Sequence, residues 1–349
     1  MPGHSSPANP LTEAVGFWYH VFLDGLTRQA LPGPMFKRLF KNAPAWIGGA
    51  ETPAPVALRI GIPRMFAYYI YPALWETFFK DLGMVPVVSG RSTMQTVRLG
   101  AQISETEHCL PNKLFDAHLA ELVGQVDRVF VPRVLSTIKD HLSCPKFGPL
   151  PDAARAGIAR DAVVLSVDID ETKTPLVETL HRLGRLLHTP RDRAAAAAEH
   201  GLSAMRAAHA RMAAPLGRKG GPRFLLIGHP YVLHDDFLAG PVVQKLARME
   251  AEVHRISFGD EAPAKSHILW STSNKIFHKI NSLAPGEYAG VIQLTVFNCG
   301  CDSMLIDTFR RAMKEKGVPY MHLMVDEHLS QSGMDTRIEA FLDSLAWAR

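Results

Sequence analysis

Cysteine is scarce: the 349 residues include four. So few thiols in so long a chain exclude a secreted disulfide framework, which depends on dense cysteine. Long apolar runs are missing too. The aromatic stretch from Gly16 to Leu23 is too short to span a bilayer and is bracketed by Glu13 and Asp24, so neither a membrane span nor a signal peptide is expected. Excess charge of one sign is absent, with a formal net charge of +4. No Lys/Arg block is dense enough to follow a phosphate backbone, which argues against nucleic-acid binding. There is no Gly-rich phosphate loop of the Walker type and no nucleotide-binding signature. The 16 His residues are scattered rather than paired at metal-ligand spacing. These absences lead to the expectation of a cytoplasmic protein with no nucleic-acid or membrane partner.

What is present points to an α/β protein. Apolar residues make up 47% of the chain, enough to bury real cores, and the length suggests more than one domain. A Pro/Ser/Gly-rich start and an aromatic segment over 1–55 read as a helical appendage. Strands are expected at 56–62, 84–88 and 127–133, with helices at 71–82 and 111–122, giving a first α/β lobe over 56–170. The Ala-rich span 193–212 anchors a helical connector over 171–221, which breaks at Lys219-Gly-Gly-Pro222. A second α/β lobe over 222–349 carries strands at 223–227, 253–256, 288–297 and 320–325. Its helices are expected at 241–249, 266–283, 304–316 and 334–347. Alternating strands and helices imply parallel sheets covered on both faces, here two Rossmann- or flavodoxin-like lobes. Trp75, Phe78 and Phe79 fall at helical spacing and read as core.

The four thiols all sit in loop chemistry, beside Pro, Gly, Asp and Asn. Cys109 immediately precedes a predicted helix, and Cys144 follows the strand at 127–133. Cys299 and Cys301 join the strand at 288–297 to the next helix. Ligands of open parallel sheets bind outside the carboxyl ends of strands. A cleft between the lobes is therefore the expected meeting point. Taken singly, each cysteine reads as a small core hydrophobe; together, on one strand edge, they read equally well as a metal site. Ligands from distant segments suit an iron–sulfur cluster better than zinc, whose structural sites bring closely paired ligands. His229 and Tyr231 could donate protons or hydrogen bonds nearby, or simply end a strand. Glu327 and His328 read as an acid/base pair, or His328 as a helix cap. Lys113, Lys146 and Arg133 could offset negative charge, or be solvated surface. Arg337 and Glu339 read as a structural ion pair.

One series of stretches begins with Arg59-Ile-Gly-Ile-Pro63, Glu107-His-Cys109 followed by Pro111, Lys113 and His118, and Val131-Pro-Arg133. It continues through Cys144-Pro-Lys-Phe147, Leu150-Pro-Asp152, Gly228-His-Pro-Tyr231, Phe297-Asn-Cys-Gly-Cys-Asp-Ser303 and Asp326-Glu-His328, which leads into Thr336 to Phe341. On these stretches the chain resembles the iron–sulfur subunits of the 2-hydroxyacyl-CoA dehydratase and benzoyl-CoA reductase superfamily, on the side of its activase-related branch. The resemblance implies a [4Fe–4S] cluster held by Cys109, Cys144 and Cys299, with one iron left open. It implies single-electron transfer at low potential to a CoA thioester or small molecule. It also implies a separate cluster-bearing ATPase as electron donor, and a homodimer or related subunit as further partner. The activities it brings are those of an oxidoreductase or lyase component under anaerobic conditions. Where the family has Pro after Cys-Gly, this chain has Cys301. Cys301 is either a fourth ligand, which would suit an electron carrier or scaffold, or a spectator. A double-cubane cluster would need more thiolates than one chain holds, and so sharing between chains. A two-lobed binding protein with zinc or no metal stays open as the remaining reading.

Overall fold

The computed structural model describes residues 57–259, 266–327 and 331–347. The chain divides into Met1–Val56 and Ala57–Arg349. The helical appendage expected over 1–55 lies outside the described residues.

The first half opens with β1 (Arg59–Ile62), the short helix α1 (Ala67–Ile70), α2 (Leu74–Asp81) and β2 (Val85–Val88). It continues with α3 (Met94–Ile103), α4 (Leu110–Leu122), β3 (Arg128–Phe130), β4 (Arg133–Ser136), α5 (Leu150–Ala156), β5 (Val163–Leu165) and β6 (Asp168–Asp170). Strands β2, β1, β3 and β5 form a parallel sheet in that order, while β4 and β6 pair apart from it. Two helices follow, α6 (Leu176–Leu186) and α7 (Arg191–Met212).

The second half comprises β7 (Leu216–Gly217), β8 (Arg223–Ile227), α8 (Pro230–Leu233), α9 (Gly240–Arg248), β9 (Glu252–Arg255) and α10 (Ser271–Ser282). Then come β10 (Gly290–Val296), α11 (Gly300–Ser303), α12 (Ile306–Glu315), β11 (Tyr320–Val325) and α13 (Gln331–Trp347). Its sheet runs β11-β10-β8-β9-β7, parallel except for the antiparallel edge strand β7. Every residue of the central strand β10 is buried. That is the burial of a strand covered on both faces, and it takes in the polar Gln293 and Thr295. The α/β reading of the sequence holds, with two parallel sheets.

Packing follows the sequence pattern. Trp75, Phe78 and Phe79 on α2 are fully buried, as their spacing predicts. Phe130 at the end of β3 receives Trp75 at 4.7 Å and Phe79 at 5.1 Å between ring centroids. Each such ring contributes about 2–3 kcal/mol through burial. Small residues set the closest approaches. A Cβ on Gly61 of β1 would lie 2.9 Å from Val126 and 3.3 Å from Leu122, so only glycine lets α4 lie against the strand. A Cβ on Gly100 of α3 would lie 2.4 Å from the Lys113 carbonyl. Helix α4 is consequently wrapped on most of its faces, with Leu110 through Phe115 all buried.

Several elements differ from their expected bounds, for local reasons. The strand expected at 127–133 is split at Pro132, which has no N–H for the ladder. Val131 N–H still donates to Leu165 and Arg133 N–H to Val167. The helix expected at 71–82 is broken around Pro72, with Ala73 at φ 62° before α2 begins. The helix expected from 266 begins at Ser271, because the preceding backbone pairs elsewhere. Leu142 N–H donates to Leu269 and Ser271 N–H to Leu142, at 2.9 and 2.8 Å. Helix α3 was not anticipated; it is opened by a reciprocal Thr93–Thr96 capping box and buries only Val97 and Gly100. The predicted pairing of Arg337 with Glu339 gives way to a bond from Lys245 to Glu339.

Candidate metal centre

Each cysteine that opens a helix does so from the residue just before it. Cys109 is the N-cap of α4, Cys144 of the 3-10 turn Pro145–Phe147 and Cys299 of α11; His229 takes the same place on α8. All four have extended backbone angles, and Pro follows three of them within two residues. Proline suits that position because its missing N–H would be unsatisfied there anyway. The free N–H groups of a helical first turn favour anionic partners. Pro-rich helix starts thus hold the thiols at the ends of rigid segments.

Three loops bring these N-termini together. Two residues past strand β10, Asn298 adopts φ 61° and turns the chain so that Cys299 follows. Asn tolerates this left-handed angle better than most residues. Strand β8 is followed by Gly228, where a Cβ would lie 2.5 Å from the Leu294 carbonyl of β10. His229 and Cys299 therefore emerge from neighbouring strands at the same carboxyl edge. The Cys144 loop comes from the other half. It is pinned by the Leu142 bridge to Leu269–Ser271 and by Ser143 N–H donating to Leu135, 2.8 Å.

The thiols interact. Cys144 and Cys301 share a hydrogen bond, which brings Cys144 down to about 6; the Lys146 N–H, His229 and Lys146 help, and burial opposes it. The same bond, together with burial, pushes Cys301 far up. Burial pushes Cys109 up to about 11, against the Asn112 N–H and Lys146, with Cys299 and Cys144 adding to the rise. Cys299 Sγ lies 3.8 Å from His229 Nε2. None of the four cysteines is in a disulfide.

Sequence reading missed one member of this group, Asp302. It is 1% exposed and its Oδ1 stands 3.2 Å from His229 Nε2. Beyond that ion-pair contact, among the described residues both Asp302 oxygens and His229 Nδ1 have no hydrogen-bond partner. The ligand atoms of His229, Cys299 and Asp302 lie within 4.8 Å of one another. Burial alone would lower the His229 pKa, but Asp302 and Cys299 outweigh it and hold it well above the ordinary imidazole range. The signal was present in the sequence: Asp302 is three residues beyond Cys299, a spacing that puts both on one face of a helical turn.

Aromatic side chains close the space. Tyr231 stacks on His229 with centroids 5.0 Å apart, and its hydroxyl is held neutral by burial and by Cys299, Cys144, Cys109 and Asp302. Phe66 lies 5.0 Å from Tyr231, 4.8 Å from Phe147 and 5.5 Å from Phe115. The remaining candidates separate by position. Lys113 is buried rather than solvated and donates to Glu327, which follows β11. That bond ties α4 to the second sheet and gives Glu327 a partner other than His328, which lies outside the described residues. Lys146 acts electrostatically on both Cys109 and Cys144. Arg133 is engaged elsewhere, donating to Asp152, Asp168 and the Gly148 carbonyl.

A buried polar chain supports the same junction. Ser92 donates to Asp235 at 2.5 Å and contacts His118 of α4 at 3.0 Å. Tyr69 donates to the same carboxylate at 3.2 Å, while the Phe237 and Leu238 N–H groups hold its other oxygen.

Fold and site together define an α/β protein with a buried thiol–imidazole–carboxylate centre between two parallel sheets. Residues 59–257, more than half of the chain, match the family described as CoA enzyme activase uncharacterised domain (DUF2229), and the chain belongs to that family. No curated protein sequence matches. Among solved structures, the crystal structure of ZnuA aligns at 13% identity over 83% of this chain and 98% of its own, with a TM-score of 0.26. A GCN5-related glucosamine N-acetyltransferase region of a fungal multi-domain GH3 beta-N-acetylglucosaminidase aligns at 13% identity, over 73% of this chain and 37% of its own, with a TM-score of 0.18. Scores this low carry no argument about fold or function. Among the described residues, no helix is long and apolar enough to cross a membrane.

Proposed function

We propose that this protein binds a [4Fe–4S] cluster through Cys109, Cys144 and Cys299 and acts as a low-potential reductase- or dehydratase-like component. The reading follows the resemblance to the 2-hydroxyacyl-CoA dehydratase and benzoyl-CoA reductase subunits, with a CoA thioester or small molecule as electron acceptor. A separate cluster-bearing ATPase is the electron donor in this reading. The observation that carries it is that the four thiols act on one another electrostatically, beside buried carboxylate oxygens that have no described donor. Buried polar groups without partners are uncommon and call for a ligand or ion.

When bound, such a cluster supplies single electrons at low potential. The chain's own residues do the rest. Phe66, Phe115, Phe147 and Tyr231 exclude water, which strengthens every electrostatic interaction within the site. Lys146 offsets negative charge at Cys109 and Cys144. His229, paired with Asp302, holds a proton beside Cys299.

Two specific observations favour other readings. The Cys301–Cys144 bond puts a fourth thiol in the group, which favours a closed four-thiolate cluster and hence an electron carrier or scaffold. The compact His229–Cys299–Asp302 set favours a single metal ion such as zinc, which accepts this mixture of donors. Anaerobic purification followed by iron and acid-labile sulfide analysis, with EPR of the reduced protein, separates the three. A brown protein with equal iron and sulfide is expected. A colourless protein carrying one zinc per chain would overturn the cluster reading. Cys301→Ala then divides the first two: an open site keeps its iron, and a closed one loses or remodels it.

A further inference from the structure

A second site lies behind helix α8, away from the thiols. A cavity of about 590 Å³ opens between α7 and the ends of α1, β6 and α10, and Pro230, next to His229, forms part of its wall. Its volume is in the range of small-molecule pockets. One side is the face of α7 that carries Leu202, Met205 and Arg206; the other presents Tyr71, Glu171 and Lys275.

Those last three side chains come from separate segments and feel one another. The Glu171 charge acts on Tyr71, and Lys275 acts on Glu171. Tyr71 is 4% exposed, and its hydroxyl has no hydrogen-bond partner among the described residues. A buried hydroxyl without a partner costs stability, so its retention in a cavity wall points to something that fills the space. Burial raises the Glu171 carboxyl to about 7, with Lys275 opposing the rise, so much of it keeps its proton at neutral pH. Lys275 is steadied by its bond to the Phe258 carbonyl, 3.0 Å. Phenol, carboxylic acid and ammonium are all proton donors, and an acceptor carrying negative charge answers all three.

We propose that this cavity binds an organic monocarboxylate, its head group seated against Tyr71, Glu171 and Lys275 and its hydrocarbon body lying along α7. A carboxylate can share one proton with Glu171 in a short charge-assisted bond. A neutral alcohol would forgo the attraction of the Lys275 ammonium. Leu202 and Met205 provide the apolar length.

The test is titration calorimetry on the full chain at pH 7, using straight-chain carboxylates from butanoate to decanoate. Saturable one-to-one binding is expected, tightening about fourfold per added methylene until the cavity is filled. Tyr71→Phe and Lys275→Met should each weaken octanoate binding at least tenfold. Tyr71→Phe should also leave the empty protein as stable as the parent or more so, because it removes only the unpartnered oxygen. No saturable binding of any carboxylate would overturn the proposal, as would undiminished affinity in both variants. Equal affinity for octan-1-ol, or tighter binding of octyl phosphate, would overturn it as well. The site does not depend on the cluster reading: both variants should retain the parent's metal content, and octanoate should bind protein stripped of metal.

Discussion

Helix α8 separates two sites built on opposite principles. On one side, His229 and Tyr231 belong to a buried centre where Cys299 comes within 3.8 Å of His229, and Cys144 and Cys109 act on Tyr231 electrostatically. On the other, Pro230 borders a roomy cavity whose polar groups are spread over three segments. A small inorganic group needs few ligands held rigidly at one point. An organic molecule needs volume, an apolar wall and a few placed donors. The same short helix contributes to both, so a shift in its position would be felt at each.

The largest effect that could break this contrast is removal of a thiol. Cys109→Ser, Cys144→Ser or Cys299→Ser should abolish metal retention while leaving octanoate binding intact, as measured by metal analysis and calorimetry on the same preparations. Loss of both properties together would mean that the two sites are one structural unit. Next comes Gly228→Ala, whose methyl would meet the Leu294 carbonyl at 2.5 Å. It should destabilise the protein by about 2–4 kcal/mol, read from denaturant melts, through the strain of overpacking. Metal retention should suffer more than cavity binding, because Gly228 directly precedes His229.

A smaller effect sharpens the cavity side. Glu171 has a folded pKa of about 7 against an ordinary 4.5. An acid whose pKa is raised on folding lowers stability as pH climbs from the unfolded value to the folded one. Glu171→Gln should therefore be near neutral at pH 4.5 and stabilising by about 2–3 kcal/mol at pH 8, in paired denaturation curves. The smallest effect concerns the thiol side. In metal-free protein Cys144, at about 6, should be the first cysteine alkylated by iodoacetamide at pH 7. Cys301→Ala removes the donated proton and should slow that reaction several-fold. An unchanged rate would mean that the Lys146 N–H and nearby charges, rather than Cys301, hold the thiolate.

Much of the α/β pattern was legible because its signals are local. Strands 223–227 and 320–325 match the structure at both ends, being short apolar runs between turn residues. Helix α3 escaped because it buries little and is capped by Thr at both ends of its box rather than by the usual Glu or Gln. The turn positions of Cys109, Cys144 and Cys299 were legible too, since Pro, Gly, Asn and Asp beside them mark turns, whereas Cys301 falls inside α11. Asp302 was not singled out, although its spacing from Cys299 was visible. The chain Ser92–His118–Asp235 spans 143 positions in sequence, and no local pattern announces such a contact. The cavity is equally silent in the sequence: Tyr71, Glu171 and Lys275 share no motif and acquire meaning only as neighbours.

The sequence by itself determined the two parallel sheets, the aromatic core on α2, the placing of Cys109 just before a helix and that of Cys299 between a strand and the next helix. These follow from periodicity and turn chemistry, which act over a few residues. Only the tertiary structure decided that Cys144 meets Cys301, that Asp302 faces His229 without an aligned donor, and that a cavity opens behind α8. Burial, and the pKa shifts it causes, belongs to no residue alone; it depends on which distant segments exclude water from the same place.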